Sequence, residues 1–226
     1  MHSMRHLRGQ LLEEGDPLFV LGGKVNSMKF KPISIAVAYF IAVIVLAHFF
    51  VPPNYDWTQN TISDLGSQGH VYKWIMQAGF IGFGLLLTWG VIFHFGKNRR
   101  AYFLLLVAIY GLSILVTGFF CAAPIDPSIP NDLHESQLHS MFATIAGIAM
   151  SLGIFLQVIM SANSRERWTR IISFFLIGGI SGLFGLAENH ILTLDKGIVQ
   201  RVLYLVGLAW LVYEERILIL GRETSK

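Results

Sequence analysis

The sequence predicts an all-α, polytopic membrane protein: a bundle of six transmembrane helices with the N and C termini cytoplasmic. Three observations carry that expectation. Hydrophobic residues fill 54% of the 226 positions before glycine is counted, whereas soluble domains reach about 45–50% with glycine included. Six windows of about 20 residues are nearly free of charge, the length a helix rising about 1.5 Å per residue needs to cross a hydrocarbon core of about 30 Å. Fourteen of the seventeen lysines and arginines fall on one side of these windows, the bias that marks cytoplasmic loops.

The windows lie at 33–51, 71–95, 101–123, 138–161, 168–192 and 197–219. Amides in lipid must be paired within their own segment, and runs this long and unbroken are helices rather than barrel strands. The first follows Lys29 and Lys31 and runs to Phe50 before Pro52-Pro53. It exceeds the apolar core of about 7–15 residues of a secretion signal and is expected to stay as an anchor. Residues 1–27 hold no spanning stretch and precede Met28, so 1–32 reads as a cytoplasmic N-terminal segment, 33–220 as the membrane domain and 221–226 as a tail. The second and third windows are joined by Lys97, Arg99 and Arg100, the fourth and fifth by Arg165 and Arg167. Before the fourth, three prolines keep 124–130 extended, and Asn131 or Asp132 is the expected helix cap. Ala143, Gly147 and Ser151 in the fourth helix, and Gly178, Gly182 and Gly185 in the fifth, read as faces where helices approach closely inside one chain. A homo-oligomer is not indicated.

Counting charges by side, fourteen bases less seven acids give +7 inside, and three bases less seven acids give −4 outside, restoring the total of +3. The basic balance therefore reflects topology and not a nucleic-acid partner. Cys121 stands alone, which excludes an internal disulfide and a cysteine zinc cluster and leaves it as a packing residue.

The outer links carry the chemistry. Pro52 to His70 contains Asn60, Ser63 and Asp64; Ala122 to Gln137 contains Asp126, His134 and Glu135; and His139 opens the fourth window. Glu135 and His139 share a helix face, while His134 and His139, five apart, lack the same-face spacing of a zincin. Glu188 and His190 end the fifth helix, and Arg201 lies in the sixth. Ionisable residues in a spanning segment point to function, and a Glu188–Arg201 ion pair tying two helices is the plainer reading.

These residues, in this order, resemble the bacterial six-helix membrane family catalogued as domain of unknown function 998, over about residues 33–220. The resemblance rests on Asn60-Thr-Ile-Ser-Asp-Leu-Gly66 before the second helix, Pro124-x-Asp126 leading to His139, and Gly197-x-x-x-Arg201 opening the sixth. Asp64 stands where many relatives carry glutamate, a carboxylate of shorter reach. The resemblance implies the fold and an inner-membrane location and names no activity. In residue types alone the chain is also distantly similar to the membrane hydrolases that include alkaline ceramidases and the progestin and adiponectin receptors. Those proteins set a serine, an aspartate and three histidines around zinc, on a different number of helices.

Three neutral imidazoles, from His134, His139 and His190, would hold zinc and leave one position for a water whose pKa falls to about 7. Asp64 or Asp126 would shuttle its proton, and Ser63 or Asn60 would donate to an oxyanion. The substrate would be a lipid-like amide or ester at the outer leaflet. The rival reading is a non-enzymatic sensor, assembly partner or ligand-binding protein that uses the acidic outer loops. A two-haem relay lacks inner histidines beyond His94, and a transporter would need more polar residues near the midplane than this chain offers.

Overall fold

Caps and prolines decide where the helices begin. The computed structural model describes residues 30–95, 102–189 and 191–220; His190, residues 1–29 and the tail 221–226 lie outside that description. Helix α1 spans Pro32–His48, with proline in the first turn, where the missing N–H would have had no intrahelical partner. A short 3₁₀ turn, Ser63–Gly66, precedes α2 (Lys73–Phe95); α3 (Phe103–Thr117), α4 (Leu133–Met160), α5 (Ser164–Glu188) and α6 (Lys196–Leu220) follow. Of the two expected caps of α4, Asp132 takes the role, its carboxylate accepting the amides of His134 at 3.0 Å and Glu135 at 3.1 Å. Asn163 caps α5 in the same way.

Helix α3 is shorter than the 101–123 expected of it. Beyond Phe120 the backbone finds partners outside the helix: the Cys121 amide donates to Glu135 at 2.8 Å, and Ala122 forms an isolated bridge with Ser67. Among the described residues α2, α4 and α5 are long and apolar enough to cross a membrane, while α1 and α3 are shorter apolar helices. The chain is a helical membrane protein.

Each helix runs antiparallel to the one before it. Gly90 sits against Ile33 and Gly79 against Val43, joining α1 to α2 end over end. A Cβ added at Gly84 would lie 2.6 Å from Leu115 in α3, and one at Gly118 would lie 2.7 Å from Ile81. In lipid such close backbone approach replaces the hydrophobic effect as the source of helix association. Arg170 and Glu214 join α5 to α6, and the return of α6 to α1 closes the ring. The core is aromatic at this seam, with Phe40 stacked on Phe83 at 4.6 Å and edge-on to Tyr204 at 5.4 Å.

The end carrying the first and last described residues is closed by buried charge. Glu215, fully buried, accepts the amides of Ile33 at 2.9 Å and Ser34 at 2.8 Å, the Ser34 hydroxyl, and a contact from His94 Nε2 at 2.9 Å. A carboxylate from α6 thus caps α1 in trans. Beside it Arg170 pairs with Glu214 through two nitrogens, at 2.8 and 3.0 Å.

The glycines expected to seat helices tightly in α4 and α5 do something else. A Cβ at Gly147, Gly178, Gly182 or Gly185 would meet nothing within 4 Å. Helix α5 stands off from its neighbours, its most apolar window 11% buried against 50% for α2. The missing side chains widen a cavity instead of closing a seam, and the tight helix-to-helix glycine contacts lie among α1, α2 and α3.

Candidate functional site

The links Pro52 to His70 and Ala122 to Gln137 fold over the same end of the bundle, and they are held there by polar groups from each other and from α6. Gln68 Nε2 donates to the Asp132 carbonyl at 2.9 Å, and the Asp132 amide donates back to Gln68 Oε1 at 2.7 Å. The Gln68 amide adds a bond to the Ala122 carbonyl at 3.0 Å. On α6, Gln200 Oε1 accepts from the Ile62 amide at 2.7 Å, and its Nε2 donates to Ser63 Oγ at 3.3 Å. One amide side chain thereby sets the 3₁₀ turn against the helix.

Gly197 lets the first link come that close. A Cβ there would lie 2.6 Å from the Trp57 carbonyl and 2.7 Å from that of Thr58. One turn on, Arg201 donates to the Asn60 carbonyl at 2.9 Å and reaches His48 and the Tyr55 hydroxyl, with Trp57 against its face at 5.8 Å. The Gly197-x-x-x-Arg201 spacing therefore works as a clamp on the link. Glu188 does not pair with Arg201 as expected; its carboxylate meets Lys196 Nζ at 3.4 Å. Lys196 is the first residue of α6, across from the end of α5, whereas Arg201 faces the link.

Under this cover lies a cavity of ≈ 1480 Å³ bounded by α3, α4, α5 and α6. Asn60, Ser63, Asp64, His139, Glu188 and Lys196 line the end beneath these links; Phe155, Phe174 and the α5 glycines line the rest. Ser63 Oγ takes its bond from Gln200. Asn60 spends its side-chain oxygen on the Asp56 amide at 2.8 Å. Asp64 Oδ2 accepts the Thr61 amide at 2.7 Å, and Thr61 Oγ1 accepts the Asp64 amide at 3.1 Å, a reciprocal box that holds the carboxyl in place. Desolvation pushes the Asp64 carboxyl above the ordinary carboxylate value, and the Thr61 N–H opposes that rise.

His139 is 5% exposed. Its Nδ1 lies 2.9 Å from the Phe120 carbonyl, which can only accept, so Nδ1 carries the proton. Nε2, buried and without a protein partner, keeps its lone pair. Burying a polar atom unpaired is costly, and His139 is among the residues that line the cavity.

Other expected site residues fall elsewhere. Asp126 is absent from this wall; it closes its own turn by accepting the Ser128 amide at 2.8 Å, and the Ser128 hydroxyl, with that amide second, lowers its pKa. His134 is exposed in the first turn of α4 and does not line the cavity. Glu135 is spent on the Cys121 amide. His190 lies outside the described residues. Among the described residues no three His, Cys, Asp or Glu side chains gather to hold a metal ion; of the three histidines expected to hold zinc, His139 lines the cavity and His134 does not. The sequence reading passed over Gln68 and Gln200; a glutamine in an apolar helix, one residue before Arg201, was the available signal.

Residues 34–213 match the family described as protein of unknown function (DUF998), and the chain belongs to it. No curated protein and no solved structure matches.

Proposed function

We propose that this member of the DUF998 family crosses the plasma membrane six times with both termini cytoplasmic, and that its cavity takes up one lipid-like amphiphile, polar group toward the outer face. The observation that carries the reading is the gradient along the cavity wall, polar at the link end and apolar with open glycines along α5. Ligand pockets of about 300–1,000 Å³ suit drug-sized molecules, so ≈ 1480 Å³ accommodates a head group with a long chain. Native mass spectrometry from maltoside micelles supplied with a long-chain amphiphile tests it. One molecule should bind per chain and be lost in Gly182→Phe, a variant that fills open space. Equal binding by that variant would remove the cavity from consideration. Reporter fusions at each end test the topology, a cytoplasmic reporter being active at both.

A second reading, hydrolysis of an ester or amide of that amphiphile, is favoured by the free Nε2 of His139. Water would attack the carbonyl carbon as Nε2 takes its proton; collapse of the intermediate would break the acyl bond, and the imidazolium would return the proton to the leaving group. The Ser63 hydroxyl lies on the same wall to donate to the oxyanion. Turnover of a fluorogenic long-chain ester, abolished in His139→Gln, is the test; unchanged turnover in that variant would leave binding alone.

A further inference from the structure

We infer that the head group of the bound amphiphile is a hydrogen-bond-donating cation, a long-chain amine, and that the cavity discriminates against anionic heads. The inference rests on the cavity reading above and adds the chemistry of the ligand. The polar end of the cavity is lined by two carboxylates, Asp64 and Glu188, and by His139, whose buried Nε2 has no protein partner. Among the described residues the wall carries one basic side chain, Lys196, and it is already paired with Glu188. Arg201, the other nearby cation, is turned to the Asn60 and Gly197 carbonyls and lies outside the wall. Two carboxylates against one ammonium leave a net negative charge when Asp64 is ionised. An anionic phosphate or carboxylate head would meet that charge and find no free fork of donors, the arrangement that recognises such groups. An ammonium suits the site: it pairs with a desolvated carboxylate and brings N–H donors to a wall rich in acceptors.

The experiment compares hexadecylamine, hexadecanol and hexadecanoate at pH 7.5, by native mass spectrometry of the full chain in one maltoside, across wild type, Asp64→Asn, Glu188→Gln and Gly182→Phe. Comparing variants within the same micelle cancels the partitioning of each amphiphile. Wild type should prefer the amine to the carboxylate by about tenfold or more, the effect of roughly 1.4 kcal/mol of charge recognition. Asp64→Asn, which keeps an acceptor for the Thr61 amide, should lose most of that preference, and Glu188→Gln part of it. Equal or tighter binding of hexadecanoate by wild type, lost in Gly182→Phe, would overturn the head-group inference and leave the cavity reading standing. Binding of all three that persists in Gly182→Phe would overturn both.

Discussion

Gln68 and Asp132 clasp each other through two reciprocal hydrogen bonds, side-chain amide to backbone carbonyl and backbone amide to side-chain oxygen. The contact joins the links before α2 and α4, 64 positions apart in the chain, and Asp132 is also the cap of α4. The roof of the cavity and the start of one of its walls are thus set by the same pair.

Replacing Gln68 with alanine should therefore cost more than a surface substitution. It removes two hydrogen bonds, each worth about 0.5–1.5 kcal/mol net; the Asp132 amide loses its partner while the Asp132 carbonyl keeps the Ser136 amide. Thermal unfolding in micelles should show the loss, together with weaker amphiphile binding; an unchanged melting temperature would mean that α4 and the links are held by other contacts.

Two glycine-to-alanine variants should behave oppositely. Ala at Gly197 drives a methyl into the Trp57 and Thr58 carbonyls, an overpacking of about 1–3 kcal/mol. Ala at Gly182 meets nothing and replaces a poor helix former, a gain of up to about 1 kcal/mol. Paired melting curves check the contrast, and equal shifts would contradict the packing described.

Glu215→Ala should be among the most damaging single changes. It strips two amides of α1, the Ser34 hydroxyl and His94 of a shared acceptor, and removal of one partner from a buried charged network costs about 3–5 kcal/mol. Expression and unfolding of the variant measure this. Glu215→Gln, which keeps one acceptor oxygen, should fall between.

The raised pKa of Asp64 makes a signed prediction. The unfolded chain releases that proton near the ordinary value of 3.8, before the folded protein does. The fold therefore loses stability as pH rises from there to the higher folded value, and the penalty is complete above it. Asp64→Asn should be more stable than wild type at pH 7, by a margin that shrinks to nothing as pH falls below 3.8. Unfolding of both proteins from pH 3 to 8 decides it; a margin independent of pH would place the effect in packing.

Six helices were legible because each signal is local. An apolar run, a proline in the first turn of α1 and an aspartate before Leu133 act on neighbouring residues whatever the rest of the chain does. The site was legible in part for the same reason: Ser63, Asp64 and His139 sit in short polar stretches at helix ends, and all three line the cavity. Asp126 and His134 lie in stretches that look the same in sequence, yet each turns to its own surroundings. The Glu188 partner was misread because Lys196 and Arg201, five residues apart on one helix, present their charges on different sides.

The sequence by itself determined a helical membrane protein, the caps and stops of its segments and the polar content of its links, since lipid admits backbone only when it is paired within the segment. Tertiary structure alone decided the rest. Whether a glycine stripe closes a seam or opens a cavity depends on how far the opposing helix stands away, and α5 stands away where α2 and α3 do not. Which carboxylate is desolvated, and which imidazole nitrogen is left without a partner, depends on groups brought from distant positions: Phe120 to His139, Gln200 to Ser63, Arg201 to Asn60. Those pairings arise only once the helices have packed, because hydrogen bonding and burial act through space and leave no periodic trace along the chain.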